Sequence, residues 1–97
     1  MTEIRVHTKG NHPHASIYGV DVVHYGGNTH HTVTVKNEDY ERITSGKVDM
    51  KIFVKESFEF LLKHEPAEAI MQHFDLLDIK RHFPDFERIM TSQYARK

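Results

Sequence analysis

The chain opens on an alternation of apolar and polar residues. Over residues 3–7 (Glu-Ile-Arg-Val-His), Ile4 and Val6 point to one side while Glu3, Arg5 and His7 point to the other, which marks a half-buried strand. Gly10, Asn11 and Pro13 make residues 9–14 a loop, and residues 15–25 are β-branched and aromatic around Gly19. Gly26-Gly27-Asn28-Thr29 then reads as a hairpin loop before a second alternating run, His30 to Lys36. That loop sets Tyr25 opposite His30, His24 opposite His31, Val22 opposite Val33 and Val20 opposite Val35. The last three pairs share one face; Asp21, Val23, Thr32 and Thr34 take the other.

From residue 37 the period changes. Asn37 is a candidate N-cap, Glu38 and Asp39 place acids in a first helical turn, Tyr40 and Ile43 face inward, and Gly46 can end that helix. Residues 48–54 are ambiguous, because Val48, Met50, Ile52 and Val54 alternate like a strand. Met50, Val54, Phe58, Leu61 and Leu62 nevertheless form a longer helical stripe, opposed by Lys51, Lys55, Glu59 and Lys63. A helix from about Asp49 to Lys63 follows. Pro66 suits the start of a helix over 67–73, and Asp75 with Asp78 resembles a cap for a third over 76–82. Pro84 ends that helix at Phe83, and a last helix carries Phe86, Ile89, Met90 and Gln93 on one side.

The expected fold is therefore α+β in a single domain. An N-terminal three-stranded antiparallel meander occupies 1–36, a long helix and several short helices occupy 37–94, and 95–97 fray. The expected core is Val6, Val22, Val33, Val35, Val54, Phe58 and Leu61.

Composition narrows the function classes. Net charge is −1 and there is no cysteine, so no disulfide and no thiolate chemistry is available. The absence of a long apolar run or a basic-then-apolar leader leads us to expect no membrane span and a cytoplasmic location. The apolar share, 38% without glycine, lies below the usual ~45–50% that counts it, which fits either low stability on its own or burial against a second copy. A homodimer or another protein partner is thus expected. Nucleic acid is not, because Asp75, Asp78, Asp85 and Glu87 interleave with Lys80, Arg81, His82 and Arg88.

The residues Ser57-Phe58-Glu59-Phe60-Leu61-Leu62, Glu65-Pro66, Phe74-Asp75-Leu76, Ile79 and Phe83-Pro84-Asp85-Phe86-Glu87 resemble the C-terminal half of small bacterial proteins of unknown function. The resemblance spans roughly residues 45–90. It implies a helical second half and a bacterial origin, and it carries no activity or site residue.

Histidine is the unusual component. The chain has nine, six of them within the first third. Without cysteine, a zinc or nickel site needs imidazole with carboxylate. His12-Pro13-His14 points two rings to one side of an extended chain, and the hairpin register makes His24 and His31 cross-strand neighbours, so these four are the candidate ligands, with His7 as the alternative to the His12/His14 loop for the third position. Free imidazole titrates near ~6.5, which also allows a pH-responsive role. The plainer account is that these rings are solvated or hydrogen-bonded to one another. No Gly-x-Ser-x-Gly elbow or phosphate loop is present, and no enzyme is expected. Six phenylalanines offer more apolar surface than a thin sheet covers. Phe53 and Phe60, off the main stripe, are candidate interface residues unless the later helices wrap over them.

Overall fold

The computed structural model describes residues 2–96. Strands β1 (Glu3–Asn11), β2 (Ala15–His24) and β3 (Gly27–Lys36) are followed by helices α1 (Asn37–Thr44) and α2 (Met50–Leu62). A 3₁₀ turn at Ala67–Ala69 leads to a short strand β4 (His73–Asp75) and a second 3₁₀ turn at Leu76–Asp78. Helices α3 (Ile79–His82) and α4 (Phe86–Ala95) complete the fold. The α+β class is as expected, but the sheet is not an antiparallel meander of three strands. Its order is β1-β2-β3-β4, with β4 parallel to β3 and Phe74 paired with Val33.

The β2–β3 hairpin is tighter than the glycine run suggests. His24 pairs with Gly27, Val22 with Thr29 and Val20 with His31, leaving only Tyr25 and Gly26 as the loop. Gly27 continues the ladder at φ 138°, a conformation that side chains resist and glycine accepts. The partner of Val22 thus moves four positions, from Val33 to Thr29. Because four is even, every side chain keeps its expected face. Val20, Val22, Val33 and Val35 are all fully buried. β1 is longer than expected and is interrupted by a bulge at Lys9, between Thr8 and Gly10 in the register. As an edge strand it leaves Val6 only half-buried.

Ser45 and Gly46, both in left-handed conformations, stop α1. The ambiguity at 48–54 resolves to helix from Met50 onward. The reason is that α2 is buried on two sides, which a strand pattern over 48–54 does not foreshadow. Val54, Phe58 and Leu61 belong to the core beneath the sheet, while Phe53 sits 6.1 Å from the Tyr94 ring and Phe60 5.2 Å from the Phe86 ring. Phe53 is 0% and Phe60 9% exposed, so neither forms the open rim expected of an interface. α4 covers them with Phe86, Met90 and Tyr94, spaced four residues apart, and leaves Ile89 at 38% exposed. Tyr94, outside the expected stripe, donates to Glu56 at 2.7 Å.

The helix expected over 67–73 is instead one turn followed by extended chain. Phe74 gains burial beside Val33, and Thr32 N–H donates to Gln72 O at 2.6 Å, so ladder bonds replace helical ones. The capping box at Asp75 and Asp78 does form: Asp75 accepts from Leu77 N–H at 3.0 Å and Asp78 from Asp75 N–H at 3.3 Å. The radius of gyration, 12.7 Å, matches the ~13 Å of a well-packed chain of this length.

Replacing Phe58 with alanine should cost about 3–5 kcal/mol in urea unfolding, whereas Ile89→Ala should stay within about 0.5 kcal/mol. Burial first, then the bond to Glu56, pushes the Tyr94 hydroxyl far above its usual range. A raised folded value gives stability that is complete below the unfolded value near ~10 and is lost as pH rises beyond it. Alkaline unfolding should accordingly be shallower in Tyr94→Phe.

Candidate functional site

Alternation along the strands gives the sheet two unlike faces. One carries Tyr18 and the four buried valines against α2. On the other, the register aligns His7, Gly19, Thr32 and His73 in one row across all four strands, and Arg5, Asp21 and His30 in the next. Every Lys, Arg, Asp and Glu of residues 1–36 (Glu3, Arg5, Lys9, Asp21 and Lys36) lies on this open face. Asp75 joins them from β4, 3.8 Å from the Lys36 ammonium.

The open face carries a shallow depression of about 410 Å³ whose lining includes His7, Lys9, Gly19, Asp21, His30, Thr32 and His73. Gly19 shapes it. A Cβ on Gly19 would collide with His7 Nε2, so the missing side chain is what lets the His7 ring come close over β2. Beside it, His30 Nδ1 is 2.6 Å from Asp21 Oδ1. The hydrogen bond from His30 holds the Asp21 carboxyl below its usual range, burial opposes this, and the fields of His30, His7 and Arg5 add to the lowering. An ionised carboxylate only accepts, so His30 carries its proton on Nδ1 and presents Nε2 to solvent. Lys9 Nζ reaches across the strands to donate to Thr32 Oγ1 at 3.2 Å. The result is a polar surface holding three imidazoles and an ammonium around one carboxylate.

The four histidines expected to gather do not. His31 is 4% exposed on the covered face, 5.3 Å from the Phe58 ring. Its Nδ1–H donates to Met71 O at 2.7 Å, and its Nε2 accepts from Thr29 Oγ1 at 2.9 Å, so both nitrogens are occupied in holding the fold. His24 lies four residues beyond the rung of His31, about 13 Å along the strand. Its Nδ1 accepts from Gly26 N–H at 3.3 Å, and its buried Nε2 stands 2.9 Å from Glu68 Oε2 at an angle outside hydrogen-bond geometry. His12 and His14 occupy the β1–β2 turn at the far end of β2, roughly 30 Å from His24. Among the described residues, no three His, Asp or Glu side chains converge as metal ligands do.

His7, His30 and Asp21 were within reach of sequence reasoning. The same alternation that buries the valines assigns these three to the opposite face. His73 was not, because its placement needs β4.

In Gly19→Ala the new Cβ should displace only the free end of the His7 side chain. Stability should change by less than about 1 kcal/mol while the His7 ring-proton resonances move. A depressed carboxyl contributes stability above its unfolded value, lost as pH falls through the folded one. His30→Ala should raise the Asp21 carboxyl toward its ordinary range, seen by carboxyl-carbon titration, and soften acid destabilisation below about pH 4. Among the described residues, no helix is long and apolar enough to cross a membrane. No protein-family model, curated protein or solved structure matches the chain.

Proposed function

We propose that this protein is a small non-catalytic binding module that engages an acidic protein segment through the open sheet face, more tightly as pH falls. The observation that carries this reading is the His7 ring lying on the bare backbone of Gly19, beside the Asp21–His30 pair. That arrangement keeps an imidazole close against an otherwise uncovered surface.

The charges on the face support it. Arg5, Lys9 and Lys36 balance Glu3, Asp21 and Asp75, three against three, so the fixed charge is zero. His7, His30 and His73 then decide the sign, and each proton they take up favours an anionic partner. The interleaved carboxylates suit a polypeptide, whose charges are spaced, better than a nucleic-acid backbone with a phosphate at every step. Thr32, the one hydroxyl on the depression among the described residues, is hydrogen-bonded to the Lys9 ammonium, a donor and not the base that would activate a nucleophile. A cysteine-free chain suits a reducing cytosol.

One feature favours a second reading. A histidine whose Nδ1–H is held by a carboxylate, as His30 is by Asp21, presents Nε2 as metal-ligating histidines do. In this reading His30 and His7 take zinc or nickel.

Fluorescence anisotropy with a labelled polyglutamate peptide tests the first reading. Affinity should rise about tenfold between about pH 7.5 and about pH 5.5, equivalent to about 1.4 kcal/mol. It should fall in His7→Ala, His30→Ala and Gly19→Ala. An affinity that ignores pH, or that both histidine variants leave intact, rejects the reading. Zinc titration by calorimetry near pH 7.5, with submicromolar binding lost in His30→Ala, would favour the metal instead.

A further inference from the structure

β1 is an edge strand, and among the described residues no backbone hydrogen bond reaches its outer side from another element. Edges of this kind are commonly blunted, and here the bulge at Lys9 does so for the second half of the strand only. The regular stretch Glu3–Thr8 is left with unpaired N–H and C=O groups.

The side chains along that stretch complement themselves. On the helix side, Ile4 and Val6 are half-buried and packed against the core. α2 lies along β1, and Lys55 is near enough to Glu3 to add to the effect of Arg5 in lowering its carboxyl. One turn before Lys55, Ile52 is 42% exposed, which extends the apolar margin from strand to helix. On the open side, Glu3 and Arg5 form an exposed ion pair within the strand. Read antiparallel against itself with Ile4 at the centre, the strand sets Glu3 opposite Arg5 of a second copy twice over, and Ile4 opposite Ile4. Sliding the pairing by one residue per strand sets arginine against arginine.

We propose that two copies of this chain pair β1 with β1 in antiparallel register about a two-fold axis at Ile4, forming one continuous eight-stranded sheet. An isologous contact of this kind closes on itself, so it ends at the dimer and does not grow into a filament. Both open faces lie on the same side of the joined sheet, and Ile52 of each copy comes toward the other along the helix layer. The proposal does not depend on what the open face binds.

Because the chain has no cysteine, Ile4→Cys supplies a single reporter. Mild oxidation should link most of it as a dimer on a non-reducing gel, while Val6→Cys, opposite Thr2 in this register, should link at least about fivefold less. Light scattering on the unmodified protein should show a dimer. Arg5→Glu should shift it to monomer, and Glu3→Arg combined with Arg5→Glu should restore the dimer. The charge variants change only exposed groups, so they stay readable if the cysteine variant folds poorly. A monomer at about millimolar concentration, including one that captures a strand from another protein, overturns the proposal. Equal cross-linking at both cysteine positions, or a dimer indifferent to the charge reversal, does the same.

Discussion

A helix of thirteen residues is about 20 Å long, and it can cover one face of this sheet and not two. The seating of Val54, Phe58 and Leu61 against the valines of β2 and β3 is the interaction on which the remaining architecture depends. Once α2 occupies that face, its other flank still presents Phe53 and Phe60, and α1 and α4 gather there. Among the described residues, no helix goes to the far side of the sheet. The far side is therefore left open, and the charged residues of the first third all lie on it beside the half-buried Ile17 and Val23.

This division explains which parts of the fold were legible in the sequence. Side-chain parity along β2 and β3 was legible because it depends only on alternation, and it withstood an error of four positions in the pairing. The pairing itself was not legible. Whether Tyr25-Gly26 or Gly26–Thr29 turns the chain is a choice between two loops that keep the same faces, with Gly27 free to continue the ladder at φ 138°. β4 was hidden for another reason. Three residues are too few to show a period, and their partner lies in a distant strand. The long stripe of α2 outweighed the competing alternation at 48–54, since helical spacing persists to Leu61 whereas the alternation stops at Val54. In the last helix the inward position goes to Tyr94 and not to the apolar Ile89, because the Tyr94 hydroxyl donates a hydrogen bond to Glu56 inside the fold.

The histidines make the same point for the site. Their abundance in the first third suggested a cluster, yet the sheet sorts them by parity and by rung. His31 became a buried brace, His24 a strand-end contact of Glu68, and His12 and His14 turn residues. The rings that share a surface, His7, His30 and His73, come from three different strands, and their association required the four-strand order as well as each strand's own pattern. Gly19 contributes by omission, and no composition count registers a missing side chain.

The parallel pairing of β4 has a kinetic consequence. The first three strands are joined by short turns and can form early, but Thr32–Thr34 must find His73–Asp75 across a connection of roughly forty residues that includes α2. Closure of the sheet is thus the late, non-local step of folding. Until it occurs, β3 keeps a bare flank beside Val33, and the segment bearing Phe74 is the piece most readily lent to a neighbouring molecule during crowded refolding.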